Sequence, residues 1–107
     1  NTNYLYNDEL DNRLPSEYSL MPAYPNPFNG SVTIPFEISS PLNSSIIIFN
    51  VLGQKITEFP IDHLGVGKHL ITWNGENQFG HDVGAGIYFA QFDIKSSSHY
   101  QKLIYLK

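Results

Sequence analysis

From Ser31 the chain alternates between apolar and polar positions. Val32, Ile34, Phe36 and Ile38 fall on one side of an extended strand, and Ser31, Thr33, Pro35 and Glu37 on the other. A period of two marks a strand with one buried face. Pro35 has no N–H to give to a ladder, so this strand is expected at a sheet edge or with its partnerless side there. Ser39-Ser40-Pro41-Leu42-Asn43 reads as a turn. Ser45 to Val51 is apolar at successive positions and rich in β-branched residues, which suits a central strand covered on both faces. Leu52-Gly53-Gln54 turns the chain, with Gly53 supplying a positive φ, and Lys55 to Phe59 returns as a hairpin partner.

Pro60 to Gly67 is a loop, after which Lys68 to Trp73 alternates again and places His69, Ile71 and Trp73 together. Asn74 to Asp82 is turn chemistry almost throughout. Ile87 to Ile94 sets Tyr88, Ala90, Phe92 and Ile94 on one side, Lys95 to Ser98 turns, and Tyr100 to Leu106 forms a last strand. Gly53, Gly75, Gly80 and Gly86 are read as turn glycines that hold backbone geometry. Six or seven short strands spaced by roughly 8 to 12 residues, with no helical period between them, predict an all-β, immunoglobulin-like antiparallel β-sandwich of about seven strands. The expected core is Val32, Ile34, Phe36, Ile48, Ile71, Trp73, Tyr88, Phe92 and either Leu103 or Ile104.

Ahead of Ser31 the pattern is lost. Residues 1–22 carry Asp8, Glu9, Asp11 and Glu17 against Arg13 alone, with scattered apolar residues and Pro15, and run into the proline cluster Pro22, Pro25 and Pro27. That composition favours extended, poorly packed chain, a linker or tail of an upstream domain; a short helix over Asn7 to Leu14 is the competing reading. The expected division is therefore an acidic leader, 1–22, and one folded domain, 23–107. The leader is also the expected protease-sensitive part, with a stable fragment beginning near Ser19. The chain opens on Asn1-Thr2-Asn3-Tyr4 rather than a basic and apolar signal segment, and reads as a piece of a longer polypeptide.

Composition narrows the chemistry. A chain of 107 residues with 41% hydrophobic positions and fifteen aromatics (seven Phe, seven Tyr, one Trp) is the size of one domain with one core. With no cysteine there is no disulfide scaffold, thiolate metal site or cysteine nucleophile. Six basic against ten acidic residues, with no Lys/Arg cluster, set nucleic acid aside as a partner. The longest apolar run, Ile46 to Phe49, is far short of the roughly 18 residues of a transmembrane helix, so no transmembrane segment is expected. His63, His69, His81 and His99 stand in no metal-ligand spacing. No Gly-x-Ser-x-Gly elbow or paired carboxylate marks a catalyst, and an enzyme is not expected. Asn74, Glu76, Asn77 and Asp82 form an oxygen-rich loop with too few carboxylates and the wrong spacing for an EF-hand; self-capping Asn turns are the reading preferred to calcium. Neither a metal nor a cofactor is predicted.

Two segments stand out as candidate recognition sites. Tyr24-Pro25-Asn26-Pro27-Phe28-Asn29 has two ring-fixed φ angles between aromatic residues; it reads either as a rigid recognition element or as the first edge of the sandwich, with Phe28 and Tyr24 plugging the core. The final strand, Lys102-Leu103-Ile104-Tyr105-Leu106-Lys107, would offer a partner any edge left unpaired.

The hexapeptide followed by an alternating strand, then Phe49 to Gln54, then Gly67 to Gly75, then Gly86-Ile87-Tyr88-Phe89 and a Lys-x-x-x-x-Lys ending, resembles the type IX secretion C-terminal sorting domain (type A, the Por secretion family). That family is similar in turn to the immunoglobulin-like domain of flagellar hook-capping proteins. The resemblance covers residues 23–107 and departs at Asn74, where an Asp is more usual, and at His81-Asp82-Val83, a stretch loosely defined in the family. It implies a non-catalytic address label on an exported cargo protein, carried through the periplasm and then secreted or held at the cell surface. The implied partners are the type IX translocon with its outer-membrane shuttle components, a sortase-like peptidase acting on the leader, and the upstream cargo domain. Two other readings stay open: a structural immunoglobulin-like spacer of a surface enzyme or adhesin, and a carbohydrate-binding module using exposed Tyr and Trp73.

Overall fold

The computed structural model describes residues 18–38, 45–94 and 97–107. The leader over 1–17 with its alternative helix at 7–14, its expected protease sensitivity, the turn at 39–43 and the link at 95–96 lie outside the described residues. Within them the chain is all-β. Six strands of six to nine residues and a three-residue strand run in the order β1 (Tyr18–Leu20), β2 (Val32–Ile38), β3 (Ser45–Asn50), β4 (Lys55–Pro60), β5 (Gly67–Trp73), β6 (Gly86–Ile94) and β7 (Ser97–Tyr105). They form two antiparallel sheets, ordered β1-β2-β5 and β4-β3-β6-β7. The inner faces supply the core, which holds Val32, Ile34, Phe36, Ile38, Ile46, Ile48, Trp73, Tyr88, Ala90, Phe92, Leu103 and Tyr105. This is the immunoglobulin-like sandwich that the alternation predicts.

Several details depart from the sequence pattern. Strand structure is already present at Tyr18, the first described residue and well before Ser31: β1 pairs with β2 in the register Tyr18↔Ile38, Ser19↔Glu37, Leu20↔Phe36. β2 is the centre of its sheet, not an edge, with β1 on one side and β5 on the other. Pro35 is accommodated because its own N and C=O face β1, where its carbonyl accepts from Met21 N at 3.2 Å. Its missing donor falls where the β1 ladder stops, and pairing resumes at Tyr24↔Thr33. β3 is central but covered on one face only. Ile46 and Ile48 are buried, whereas Ile47 and Phe49 are half-buried on the outer face. β7 begins at Ser97 rather than Tyr100, because Ile94 and Asp93 pair with Ser97 and Ser98.

The core also draws on residues outside the alternating strands. Phe28 and Ile61 come from loops and are 0% and 2% exposed. Ile71, expected inside, only packs against the cluster from its edge. Of the pair Leu103 and Ile104 it is Leu103 that is buried. Two turns share one construction. Asn50 Oδ1 accepts from Leu52 N at 3.0 Å and Gln54 N at 2.9 Å, while Gly53 N donates to Asn50 O. Asn77 Oδ1 likewise accepts from Phe79 N and His81 N, and Gly80 N donates to Asn77 O. In each an Asn side chain stands in for a strand partner and a glycine at φ 80° closes the turn.

Candidate functional site

The hexapeptide and the terminal strand, which are far apart in sequence, are one structure. After Tyr24 exchanges two hydrogen bonds with Thr33, at 2.9 and 2.8 Å, the chain leaves β2 and crosses to the other sheet. Pro25 and Pro27 contribute no N–H, so beyond Tyr24 the donors of the segment are confined to Asn26, Phe28 and Asn29. Two of these face β7. Asn26 Nδ2 donates to Lys102 O at 2.8 Å and its Oδ1 accepts from Ile104 N at 3.0 Å. Phe28 N donates to Ile104 O at 2.9 Å, and Leu106 N donates to Phe28 O at 2.7 Å, a parallel bridge between Phe28 and Tyr105. The carboxamide of Asn26 thus imitates a peptide unit along the strand edge, and the prolines on either side remove competing donors.

The edge of the final strand is therefore closed from Lys102 O to Leu106 N, so it is not an edge left unpaired for a partner along that stretch. It is covered by the hexapeptide, which becomes the outermost rung of the four-stranded sheet.

Phe28 anchors this arrangement. Its ring stacks on Tyr105 with centroids 4.8 Å apart and an interplanar angle of 8°, and meets Trp73 edge-on at 5.7 Å. Trp73 packs in turn against Tyr88 at 5.1 Å, and its Nε1 donates to Glu76 O at 2.9 Å. The plug is Phe28 alone, since Tyr24 is 53% exposed. Trp73 is 1% exposed and so is unavailable to the carbohydrate-binding reading, whereas Tyr24 and Tyr100 are exposed.

A third segment joins from the loop between β5 and β6. Asp82 Oδ1 accepts from the Tyr105 hydroxyl at 3.0 Å, and its other oxygen pairs with Lys107 Nζ at 2.9 Å. The Lys107 ammonium, followed by the Tyr105 hydroxyl, holds the Asp82 carboxyl below its ordinary value. Asp82 raises the Lys107 ammonium in return. Burial, with the Asp82 hydrogen bond behind it, pushes the Tyr105 phenol up. Gly75 lies under the same ring at φ 75°, where a Cβ would come within 2.5 Å of Tyr105. Gly53 and Gly86 also take positive φ, at 80° and 150°. The oxygen-rich loop thus uses Asn77 to cap its turn and Asp82 to hold the chain end. Among the described residues no three His, Cys, Asp or Glu side chains gather as a metal site.

Gln101 is the residue that the sequence reading overlooked. Its Oε1 accepts from Ala23 N at 2.5 Å and its Nε2 donates to Met21 O at 3.1 Å, fastening the chain just before the hexapeptide to β7. The signal was available, because Gln101 is in phase with the buried Leu103 and Tyr105, and an amide on an apolar face needs partners. Of the sequence-predicted residues, Asn26, Phe28, Lys102, Ile104, Tyr105 and Leu106 meet directly, while Tyr24, Pro25, Pro27 and Asn29 are exposed around them.

A two-sheet antiparallel sandwich whose outer rung is a proline-spaced segment belongs to the immunoglobulin-like class. The chain belongs to the family of secretion system C-terminal sorting domains, whose model matches residues 22–106. Among solved structures, the chain is similar to dimeric latent PorU from Porphyromonas gingivalis, with a TM-score of 0.64 and 19% identity over 83% of this chain. It spans only 9% of that protein. It is also similar to truncated FlgD from Helicobacter pylori, with a TM-score of 0.51 and 16% identity, covering 83% of this chain and 65% of that one. Both likenesses speak to the fold. No match was found among curated proteins.

Proposed function

We propose that this domain is the label by which an exported cargo protein is delivered to a type IX translocon, for secretion or attachment at the cell surface. The observation that carries the reading is the family match over residues 22–106, which spans the hexapeptide and the terminal strand together. The unit they form is the recognition surface in this reading. It presents exposed Tyr24, Lys102 and Leu106 on a rigid frame, so a receptor would meet one preformed face rather than a flexible tail. The outer-membrane shuttle and translocon are its partners, and a sortase-like peptidase acts on the leader that joins it to the cargo. The label itself performs no chemistry.

The test appends residues 16–107 to a reporter exported to the periplasm of a host that possesses a type IX system. The reporter is expected outside the outer membrane. Retention in the periplasm with the domain folded overturns the reading and favours the structural spacer. Within that assay Lys102→Glu is the informative surface variant. Lys107→Glu would also break the pair with Asp82 and place two carboxylates together, confounding recognition with folding. Normal export of folded Lys102→Glu would remove that charge from the signal.

A further inference from the structure

A sandwich of two open sheets has four edges, and two of them are guarded along much of their described length. β7 is covered by Asn26 and Phe28 from Lys102 O to Leu106 N. β4 carries Lys55 and Glu58, ends on Pro60, and has its Ile56 carbonyl occupied by Gln78 N. β1 is described over Tyr18–Leu20 and runs into the segment that meets β7. Charge, proline and a covering segment are usual devices that prevent stray strand pairing. β5 has none of them over Lys68 to Thr72 beyond the single charge of Lys68.

The direction of its backbone groups follows from the register. Thr33 spends both its N–H and its C=O on Tyr24, on the far side of β2, so the pair Thr33↔Thr72 exchanges no hydrogen bond. The same phase applies two residues on at Pro35↔Leu70, and again at Glu37↔Lys68. Lys68, Leu70 and Thr72 therefore aim their N–H and C=O groups away from the molecule, and no described residue meets them. Their side chains are exposed on the outer face, with Leu70 at 65%.

We infer that β5 is a self-pairing edge, and that two copies of this chain join β5 to β5 antiparallel about a two-fold axis at Leu70. In that register Leu70 faces Leu70 of the other copy, and Lys68 faces Thr72. Each of these facing pairs exchanges two hydrogen bonds, so every outward group on the three residues is satisfied. The only charge on the edge meets a hydroxyl rather than its own image, and the exposed leucines cover one another. A register centred on any other outward residue would leave ladder groups unpaired at one end. Pairing makes one continuous six-stranded sheet, ordered β1-β2-β5-β5-β2-β1. An edge of this length buries less than a standard interface, so the dimer is concentration-dependent rather than obligate. β5 lies at the opposite edge of its sheet from β1, whose continuation through Met21 and Ala23 meets β7. The dimer therefore leaves the hexapeptide surface free, and the inference stands apart from the sorting reading.

Sedimentation equilibrium of the 107-residue chain over a wide concentration range tests it. The expected mass rises from one chain toward two. Leu70→Lys and Leu70→Glu, both at an exposed position, are each expected to weaken self-association at least tenfold and to recover it when mixed. Thr72→Glu, which sets a carboxylate opposite Lys68, is expected to strengthen it. A wild-type chain that stays monomeric at millimolar concentration overturns the inference. So does undiminished association of folded Leu70→Lys, or mixed charge variants that fail to pair.

Discussion

Asn26 and Gly75 each satisfy two conditions at once, and both conditions concern the last strand. Asn26 supplies a donor to Lys102 O and an acceptor to Ile104 N from one side chain, which no apolar or singly functional residue does. Gly75 provides the positive φ of its turn and the space for the Tyr105 ring. Gly75→Ala is accordingly expected to cost about 1–3 kcal/mol, from left-handed backbone strain and displacement of the ring, measurable in urea melts. Asp82 adds a pH signature. Its carboxyl is held below its ordinary value in the folded state, so its contribution is complete above that value and is lost as pH falls through the lowered one. The stability gap between wild type and Asp82→Asn should therefore narrow below about pH 4, followed by thermal melts at a series of pH values. Glycine at 75 was legible as a turn residue. That its neighbour would be Tyr105 was not, because thirty positions of chain separate them.

At the scale of elements, β7 shows how an edge is divided. Ile104 N and Leu106 N are bonded to the hexapeptide, whereas Tyr100 N–H and Lys102 N–H point outward with no partner among the described residues. Hydrogen exchange should find the amides of Ile104 and Leu106 protected and those of Tyr100 and Lys102 fast, and Asn26→Ala should release Ile104. Equal, rapid exchange along the strand would mean that the segment does not stay docked. The two Asn-x-x-Gly turns are another recurrent device. Asn77→Ala removes two acceptor contacts to backbone N–H groups and should destabilise by about 1 kcal/mol in chemical denaturation. The turn at Gly53 and the self-capping Asn turn around Asn77 were legible, since Asn side chains and glycine act locally, whereas the Asn50 cap was not read. The position of β2 was not. Proline in a strand limits which side can be paired, and only the actual path of residues 18–24 shows that its donorless side coincides with the end of β1.

For the molecule as a whole, the aromatic group of Phe28, Trp73, Tyr88 and Tyr105 ties both sheets to the hexapeptide. Trp73→Ala should cost about 3–5 kcal/mol, the range for a buried large aromatic, and a loss below about 1 kcal/mol would place the ring at the surface. Period-two alternation, β-branched runs and turn chemistry determined the all-β sandwich, most of its strands and the inward phase of Val32, Ile34, Phe36, Trp73, Tyr88 and Phe92, because those signals depend on neighbours a few residues away. The hexapeptide and the terminal strand were likewise visible as separate segments with unusual chemistry. Only the tertiary structure decided that they are one surface, that Asp82 and Gln101 fasten it, and that β5 presents an open edge while β7 is covered from Lys102 O to Leu106 N. Those outcomes rest on hydrogen bonds and ring contacts between residues far apart in the chain, whose partners become defined only when the two sheets close on each other.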